Sequence, residues 1–386
     1  MRVLYIVGNL YEESGGPTKV VRELSETLVN MGLEITIFST IEERGTKTIS
    51  YPKGVNLRFF NTGVLSKWWA CYSPDLSKAL EREISNYNLV HIHEIWHHPH
   101  LAAYLACRRV QKPYILTVHG ALDEWCLSFK PIRKRIFSSL FERRILQEAS
   151  AIHALTAEEV NNIRAFGIDN LVTMIPNGIY PIEFENLPPR KDFERIYPIL
   201  EGKQVCLFLG RIHPKKGLDL FVKAFGKVAK RKDNVYMIIV GPDEKGYKRE
   251  VEKFAEAESV LEKVIFTGML TGKEKLAALS RADLFIQPSY SEGFSMAVLE
   301  ALICGIPVII TKQCNFPEVA IRNAGRIINP QLDELVKALE ELLGSADLRK
   351  EIGLNGKNLI LEKFTWNKIG EEMIKLYEQI LMKDKN

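Results

Sequence analysis

The chain has 386 residues, 46% of them hydrophobic and 26% charged, with a formal net charge of +4. That length suits two domains of roughly 150 to 200 residues, each with its own core, and that balance excludes disorder. So small a net charge does not point to nucleic acid, which is not expected as a partner, and no stretch approaches the roughly 20 apolar residues of a membrane-spanning helix.

Taken in order, Val3 to Val7 is an apolar run ending in Gly8-Asn9, which reads as a first strand buried on both faces of a parallel sheet and not as a signal peptide. The turn Ser14-Gly15-Gly16-Pro17-Thr18 then opens a helix from about Lys19 to Met31, an arrangement that faces phosphate, although it is not the G-x-G-x-x-G of dinucleotide enzymes. Strands are expected at Glu34 to Ser39 and Val55 to Phe60, with a helix from Pro74 to Ile84. Trp68 to Tyr72 is an aromatic cluster that either lines an acceptor groove or packs its own loop, and packing is the reading kept.

Strand Leu89 to Ile92 runs into a histidine-dense loop, His93 to His100. No cysteine lies at zinc-ligand spacing, so no metal is expected. The loop occupies the carboxyl end of a strand, where ligands meet open α/β sheets, so Glu94 and His97 are candidate acceptor contacts. Strand Tyr114 to Val118 delivers His119-Gly120 to the same edge. From Lys130 to Arg144 the chain is basic, with Ile132, Ile136, Leu140 and Phe141 at helical spacing. This reads either as a patch for a membrane surface or anionic acceptor, or as a surface helix with its apolar stripe on the core. Strand Ala151 to Ala154, helix Ala157 to Phe166 and strand Leu171 to Ile175 follow, and Pro176-Asn177-Gly178 with three further prolines marks a linker near 178–195.

The second half opens with strand Gln204 to Leu209 and the turn Gly210 to Gly217, before a helix from Leu218 to Lys230. Arg211 and Lys216 flank that turn and can hold a diphosphate leaving group. Val235 to Val240 and Val264 to Gly268 are two more strand-then-turn units, and a helix Gly272 to Ser280 follows. Strand Ala282 to Pro288 leads into Ser289 to Glu300, with Ser295 as N-cap of a buried helix from Met296 to Leu302. Gly293 allows close backbone approach, and Glu292 and Glu300 bracket the helix start about 10 to 12 Å apart, a separation that suits the two ends of a nucleoside diphosphate sugar. Their carboxylates can accept from sugar hydroxyls and the ribose diol; the alternative is that Glu300 caps a solvated face and Glu292 is an ordinary loop charge. Strands at Val308 to Thr311 and Ile327 to Pro330 and helices at Asp333 to Leu343 and Ala346 to Phe364 complete the half, and Lys368 to Met382 is a terminal amphipathic helix. The six cysteines form no Cys-x-x-Cys pair and read as reduced core residues of a cytoplasmic protein.

The Glu-x7-Glu stretch Ser291-Glu292-Gly293-Phe294-Ser295-Met296-Ala297-Val298-Leu299-Glu300, with Gly305-Ile306-Pro307 after it, resembles family 4 of the retaining, nucleotide-sugar-dependent glycosyltransferases, and the resemblance covers nearly the whole chain. It implies an α/β GT-B fold: two Rossmann-like doubly wound domains facing across a cleft, at 1–180 on the acceptor side and 181–365 on the nucleotide-sugar side, with a helix at 366–386 crossing back to the first domain. It implies that Gly15 and Gly16 face the donor diphosphate, that His119 contacts the donor sugar and positions and polarises it, that Arg211 and Lys216 bind the diphosphate, and that His119, Glu292, Arg211 and Lys216 form the catalytic set. By the same resemblance Met269 and Leu270 touch the nucleobase, and Glu292, Gly293, Phe294, Ser295, Met296 and Glu300 hold the donor. Expected chemistry is transfer of a hexosyl unit to a hydroxyl acceptor, a glycan or a lipid-linked one, with retention, no metal and no cofactor. The alternatives are a nucleotide-sugar epimerase on the same fold and a non-catalytic sugar-nucleotide-binding subunit. The expected place is cytoplasmic, peripheral at the inner membrane face if 130–144 docks there.

Overall fold

The computed structural model describes residues 1–11, 16–42, 51, 53–128 and 131–383, and the chain divides into two compact units. Unit 1 takes Met1–Gly178 together with the chain from Trp366 onward, and unit 2 takes Ile179–Thr365.

Unit 1 is built on seven strands: β1 (Arg2–Asn9), β2 (Glu34–Ile41), β3 (Asn56–Asn61), β4 (Leu89–His93), β5 (Tyr114–Thr117), β6 (Ala151–Ala154) and β7 (Val172–Met174). They lie in the order β3-β2-β1-β4-β5-β6-β7, and every pairing is parallel. The unbroken apolar run of β1 and the unbroken burial of β2, whose Thr36, Ser39 and Thr40 are covered with its apolar residues, follow from this, because a parallel sheet covered on both faces offers no wet side to alternate toward. The helix Gly16–Asn30 buries Val20, Val21, Leu24 and Leu28 on one face. The terminal helix Trp366–Lys383 belongs to this unit and lies directly on it: Trp366 Nε1 donates to Glu23 Oε2 at 2.7 Å, and a Cβ added at Gly370 would meet Met31 and Thr27 side chains at 2.8 Å.

Unit 2 carries β8 (Gln204–Leu209), β9 (Val235–Val240), β10 (Val264–Gly268), β11 (Leu284–Gln287), β12 (Val308–Thr311) and β13 (Gly325–Ile328), ordered β10-β9-β8-β11-β12-β13, again all parallel. Successive residues of β8 serve two cores: Val205 and Leu207 join one face, Cys206 and Phe208 the other. Both units are thus doubly wound, and each reverses its strand order once, between β1 and β4 and between β8 and β11.

Three expectations differ from what is observed. The stretch near 178–195 is not a loose linker, because Ile179, Phe184 and Phe193 are buried in unit 2 and a helix forms over Arg190–Ile196. The histidine-dense loop ends early, because helix His98–Arg109 begins within it, with Pro99 in its first turn and His100 accepting from the His97 backbone N–H at 3.0 Å. The apolar stripe of the basic segment does not face the core: Ile132, Ile136, Leu140 and Phe141 are exposed.

Candidate functional site

In unit 2 the site residues come from the two strands that flank the switch in strand order. Gly210 follows β8, and there the chain passes so close to Gly241 (φ +147°) that a Cβ on Gly241 would overlap the Gly210 carbonyl. A short 3-10 turn, Pro214–Lys216, follows, capped by His213 Nδ1 accepting from Lys215 N–H at 3.1 Å. Gly217 then takes the left-handed conformation (φ +69°), and its missing side chain lets this loop close on Pro288 at the end of β11. Tyr290 N–H donates to the Lys215 carbonyl at 2.7 Å, fastening the two loops together.

That closure puts Lys216 Nζ on Glu292 Oε2, with both side chains almost wholly buried. Ser289 Oγ donates to the same carboxylate oxygen at 3.2 Å, Gln287 Nε2 donates to Ser289 Oγ at 2.9 Å, and Asn315 Nδ2 holds the Glu292 carbonyl at 2.9 Å. Burial alone would push the Glu292 carboxyl up, but Lys216, Lys215 and the hydrogen bonds from Lys216 and Ser289 outweigh it and hold the group below the usual carboxylate range. Glu292 is therefore an anion at neutral pH. Glu300 is also buried and not on a solvated face, and it pairs with Lys275 Nζ at 2.9 Å from the helix Gly272–Arg281. Arg211 stays half-exposed and pairs with Glu244 at 2.8 Å.

Ser295 occupies the N-cap position of the helix Met296–Ile303, but its hydroxyl makes no capping hydrogen bond, so its expected capping role is not observed. Phe294 packs its ring against Phe316 and Phe364, and Met296 and Leu270 lie against the core, whereas Met269 is exposed after β10. Lys275, Glu244 and Asn315 were not singled out from sequence. Each comes from a separate element and no local pattern marks it.

In unit 1 the candidate residues gather where β1, β4 and β5 end. Glu94 (φ +66°), Trp96 (φ +71°) and His119 (φ +48°) all hold left-handed backbone, which costs a side-chain-bearing residue about 1 kcal/mol or more and clusters at functional sites. Glu94 Oε2 lies 3.5 Å from His97 Nδ1, and a Cβ on Gly8 would meet the His97 ring at 2.6 Å. His119 Nε2 is 3.1 Å from His93 Nδ1. Burial pushes Glu94 up to about 7 and His97 down to about 4, and burial with the nearby His153 brings His119 to about 3. At neutral pH both histidines are uncharged. Gly16 starts the helix Gly16–Asn30, and a Cβ there would meet nothing within 4 Å, while Gly15 lies outside the described residues.

Beneath this cluster runs a buried polar thread. His153 Nε2 lies 2.7 Å from the Ile175 carbonyl, which can only accept, so that nitrogen carries the proton and Nδ1 accepts from Thr117 Oγ1 at 2.8 Å. Thr117 in turn accepts from His91 Nε2 at 2.7 Å, His91 Nδ1 accepts from Tyr377 O–H at 2.7 Å, and Tyr5 O–H donates to Tyr377 at 2.8 Å. One carbonyl thus sets both tautomers and the direction of every bond, because burial keeps His91 and His153 neutral.

Two parallel, doubly wound units with charged and polar residues gathered at the switch point of each define the GT-B class of fold. Residues 14–181 match the family described as Glycosyltransferase Family 4, and residues 189–359 match Glycosyl transferases group 1. An uncharacterized glycosyltransferase of Methanocaldococcus jannaschii is 26% identical over 385 residues, covering 94% of each chain. Among solved structures, sucrose-phosphate synthase from Thermosynechococcus elongatus superposes with a TM-score of 0.81 at 20% identity over 99% of each chain. Anabaena HepE, solved in complex with UDP-glucose, gives 0.78 at 16% identity over 98% of this chain and 100% of its own. The chain belongs to glycosyltransferase family 4.

Proposed function

We propose that the chain transfers a hexosyl unit, with retention and without a metal, from a nucleoside diphosphate sugar to a hydroxyl on a glycan or lipid-linked acceptor. The observation that carries this reading is the buried Lys216–Glu292 pair, assembled from two loops at the switch point of unit 2. The binding of UDP-glucose by HepE supports the donor class. Lys216 and Arg211 would share their charge between the donor diphosphate and their present carboxylate partners, Glu292 and Glu244. Ser295 does not cap the helix that starts at Met296, so the first-turn N–H groups of that helix can turn to the same phosphates. Glu292 would accept from sugar hydroxyls and Glu300 from the ribose diol, with Met269 and Leu270 beside the base.

The bond from the anomeric carbon to the β-phosphate oxygen breaks as the bond to the acceptor oxygen forms on the same face, and the acceptor's proton passes to the departing phosphate. The two cations stabilise the charge that develops there, a task a metal performs elsewhere. Glu94, His97 and His119 are assigned to the acceptor side and the sugar, where a neutral His119 offers one donor and one acceptor. The place of work is cytoplasmic, at the inner face of a membrane when the acceptor is a lipid.

A thermal-shift screen against UDP-, GDP-, ADP- and TDP-sugars tests the donor class, since a ligand at a hundred times its Kd adds about 2.7 kcal/mol of apparent stability. Glu300→Gln should then weaken donor binding, and Lys216→Met should lower turnover by about a hundredfold or more. Wild-type turnover in both variants with the true donor would refute the site.

A further inference from the structure

Unit 1 carries an apolar and basic face made of two elements far apart in sequence. The first is the 3-10 turn Val64–Lys67 with Trp68 after it, where Val64 is 90% and Trp68 77% exposed. The second is the basic segment, which runs as helix Pro131–Phe137, a π-turn Ser138–Glu142 and helix Arg143–Gln147. It faces inward with Glu142, Ile145 and Leu146 and outward with Ile132 (76% exposed), Ile136 (56%) and Leu140 (62%), which recur every four residues. Phe137 fixes its position, because its ring meets those of Trp69 at 5.6 Å and Trp96 at 6.3 Å. Trp69 adjoins Trp68, so the Trp69–Phe137 contact joins the turn and the segment into one surface.

Charge decides what that surface meets. The described cations on the two elements include Lys67, Arg135 and Arg143, all exposed. Their one acid, Glu142, is buried against His100 Nε2 at 2.9 Å. Two copies meeting through this face would bring like charges together, whereas anionic headgroups would receive them while the isoleucines, Leu140 and Trp68 enter the boundary below. Beside it lies a hollow of about 470 Å³ lined by Trp69, Leu101, Leu105 and Phe141, with Arg109 and Glu81 as opposite charges on its wall.

We propose that unit 1 docks onto an anionic lipid bilayer through this two-element face, with Trp68 and Ile136 as its central insertions. The proposal goes beyond the transfer reaction and needs no donor, so it stands or falls separately from it. The test is flotation of the full chain with phosphatidylcholine vesicles, with and without phosphatidylglycerol, in the absence of nucleotide sugar. Binding should require phosphatidylglycerol and weaken as salt rises toward 1 M, where the screening length shrinks to about 3 Å. Trp68→Ser with Ile136→Ser should lower the partition by about tenfold or more, while the melting temperature stays that of the wild type because both side chains are exposed. Arg135→Glu should lower it by about fivefold or more. Failure to float with anionic vesicles, equal binding to neutral ones, or unchanged binding by the serine variant would overturn the proposal. A concentration-dependent dimer abolished by the same substitutions would overturn it in favour of a self-interface.

Discussion

Lys216 and Glu292 stand 76 positions apart in the chain, and a single hydrogen atom at position 217 brings them together. Any larger side chain there would have to adopt φ +69° and would overlap the Pro288 carbonyl oxygen. Gly217→Ala is therefore expected to destabilise unit 2 by at least about 2 kcal/mol, from the left-handed backbone and from the loop movement needed to relieve the overlap. Denaturant titration checks this: the midpoint should fall with an unchanged slope, and a wild-type midpoint would mean the two loops are not held as described. Arg211, Lys216 and Glu292 were legible in the sequence because each sits in a short strand-to-helix turn whose glycines announce it. Lys275 was not legible, because its charge matters only through Glu300 on another helix, and an isolated lysine on an amphipathic helix looks like any solvated one. Asn315 was hidden for the same reason, with its left-handed φ of +55° visible only once the backbone is traced.

Among the elements, helix Trp366–Lys383 was read from its period alone, and Ile369, Met373, Leu376, Tyr377 and Ile380 are all buried as that period requires. The pattern did not disclose that the Tyr377 hydroxyl closes a polar thread to His91. Tyr377→Phe removes the one proton that satisfies His91 Nδ1 and leaves Tyr5 O–H without its acceptor, both within a buried site. A loss of about 1 to 3 kcal/mol is expected in unit 1, measured by chemical unfolding, and an unchanged midpoint would count against the thread. The basic segment shows the converse limit. Its four-residue spacing was plain, but period says only that a helix has two faces and not which one the protein covers. The five-residue turn at Ser138–Glu142 shifts the later residues around the axis, so Ile145 and Leu146 face inward while Ile136 and Leu140 do not.

At the level of the whole molecule, the two α/β halves followed from alternating apolar runs and amphipathic stretches. The packing of 179–200 into unit 2 did not, because proline-rich chain reads as a connector until Phe184 and Phe193 are seen to be buried. Histidine is distributed unevenly: seven of the eight lie in unit 1, and only His213 lies in unit 2. Burial lowers His91, His93, His97, His98, His119 and His153, so between about pH 6.5 and about pH 4 the unfolded chain binds protons that folded unit 1 refuses, and stability is lost as pH falls through that window. Glu94 and Glu159, both pushed up to about 7 by burial, work the other way, since folded unit 1 keeps protons there that the unfolded chain releases above about 4.5. Six groups against two leave a net loss on acidification. All five tryptophans also lie in unit 1, so tryptophan fluorescence reads that unit alone. Its midpoint should drop from pH 7.5 to 5 well ahead of the transition remaining in far-UV circular dichroism, and a common midpoint that ignores pH would contradict the assignment. The return of helix Trp366–Lys383 to unit 1 has a consequence for how the protein is made. On the ribosome, everything unit 2 needs has emerged by Thr365, while the half that was begun first still lacks the helix that covers Tyr5 and Glu23. The sheet started earliest is the one completed last, and until then its histidine thread hangs open at one end.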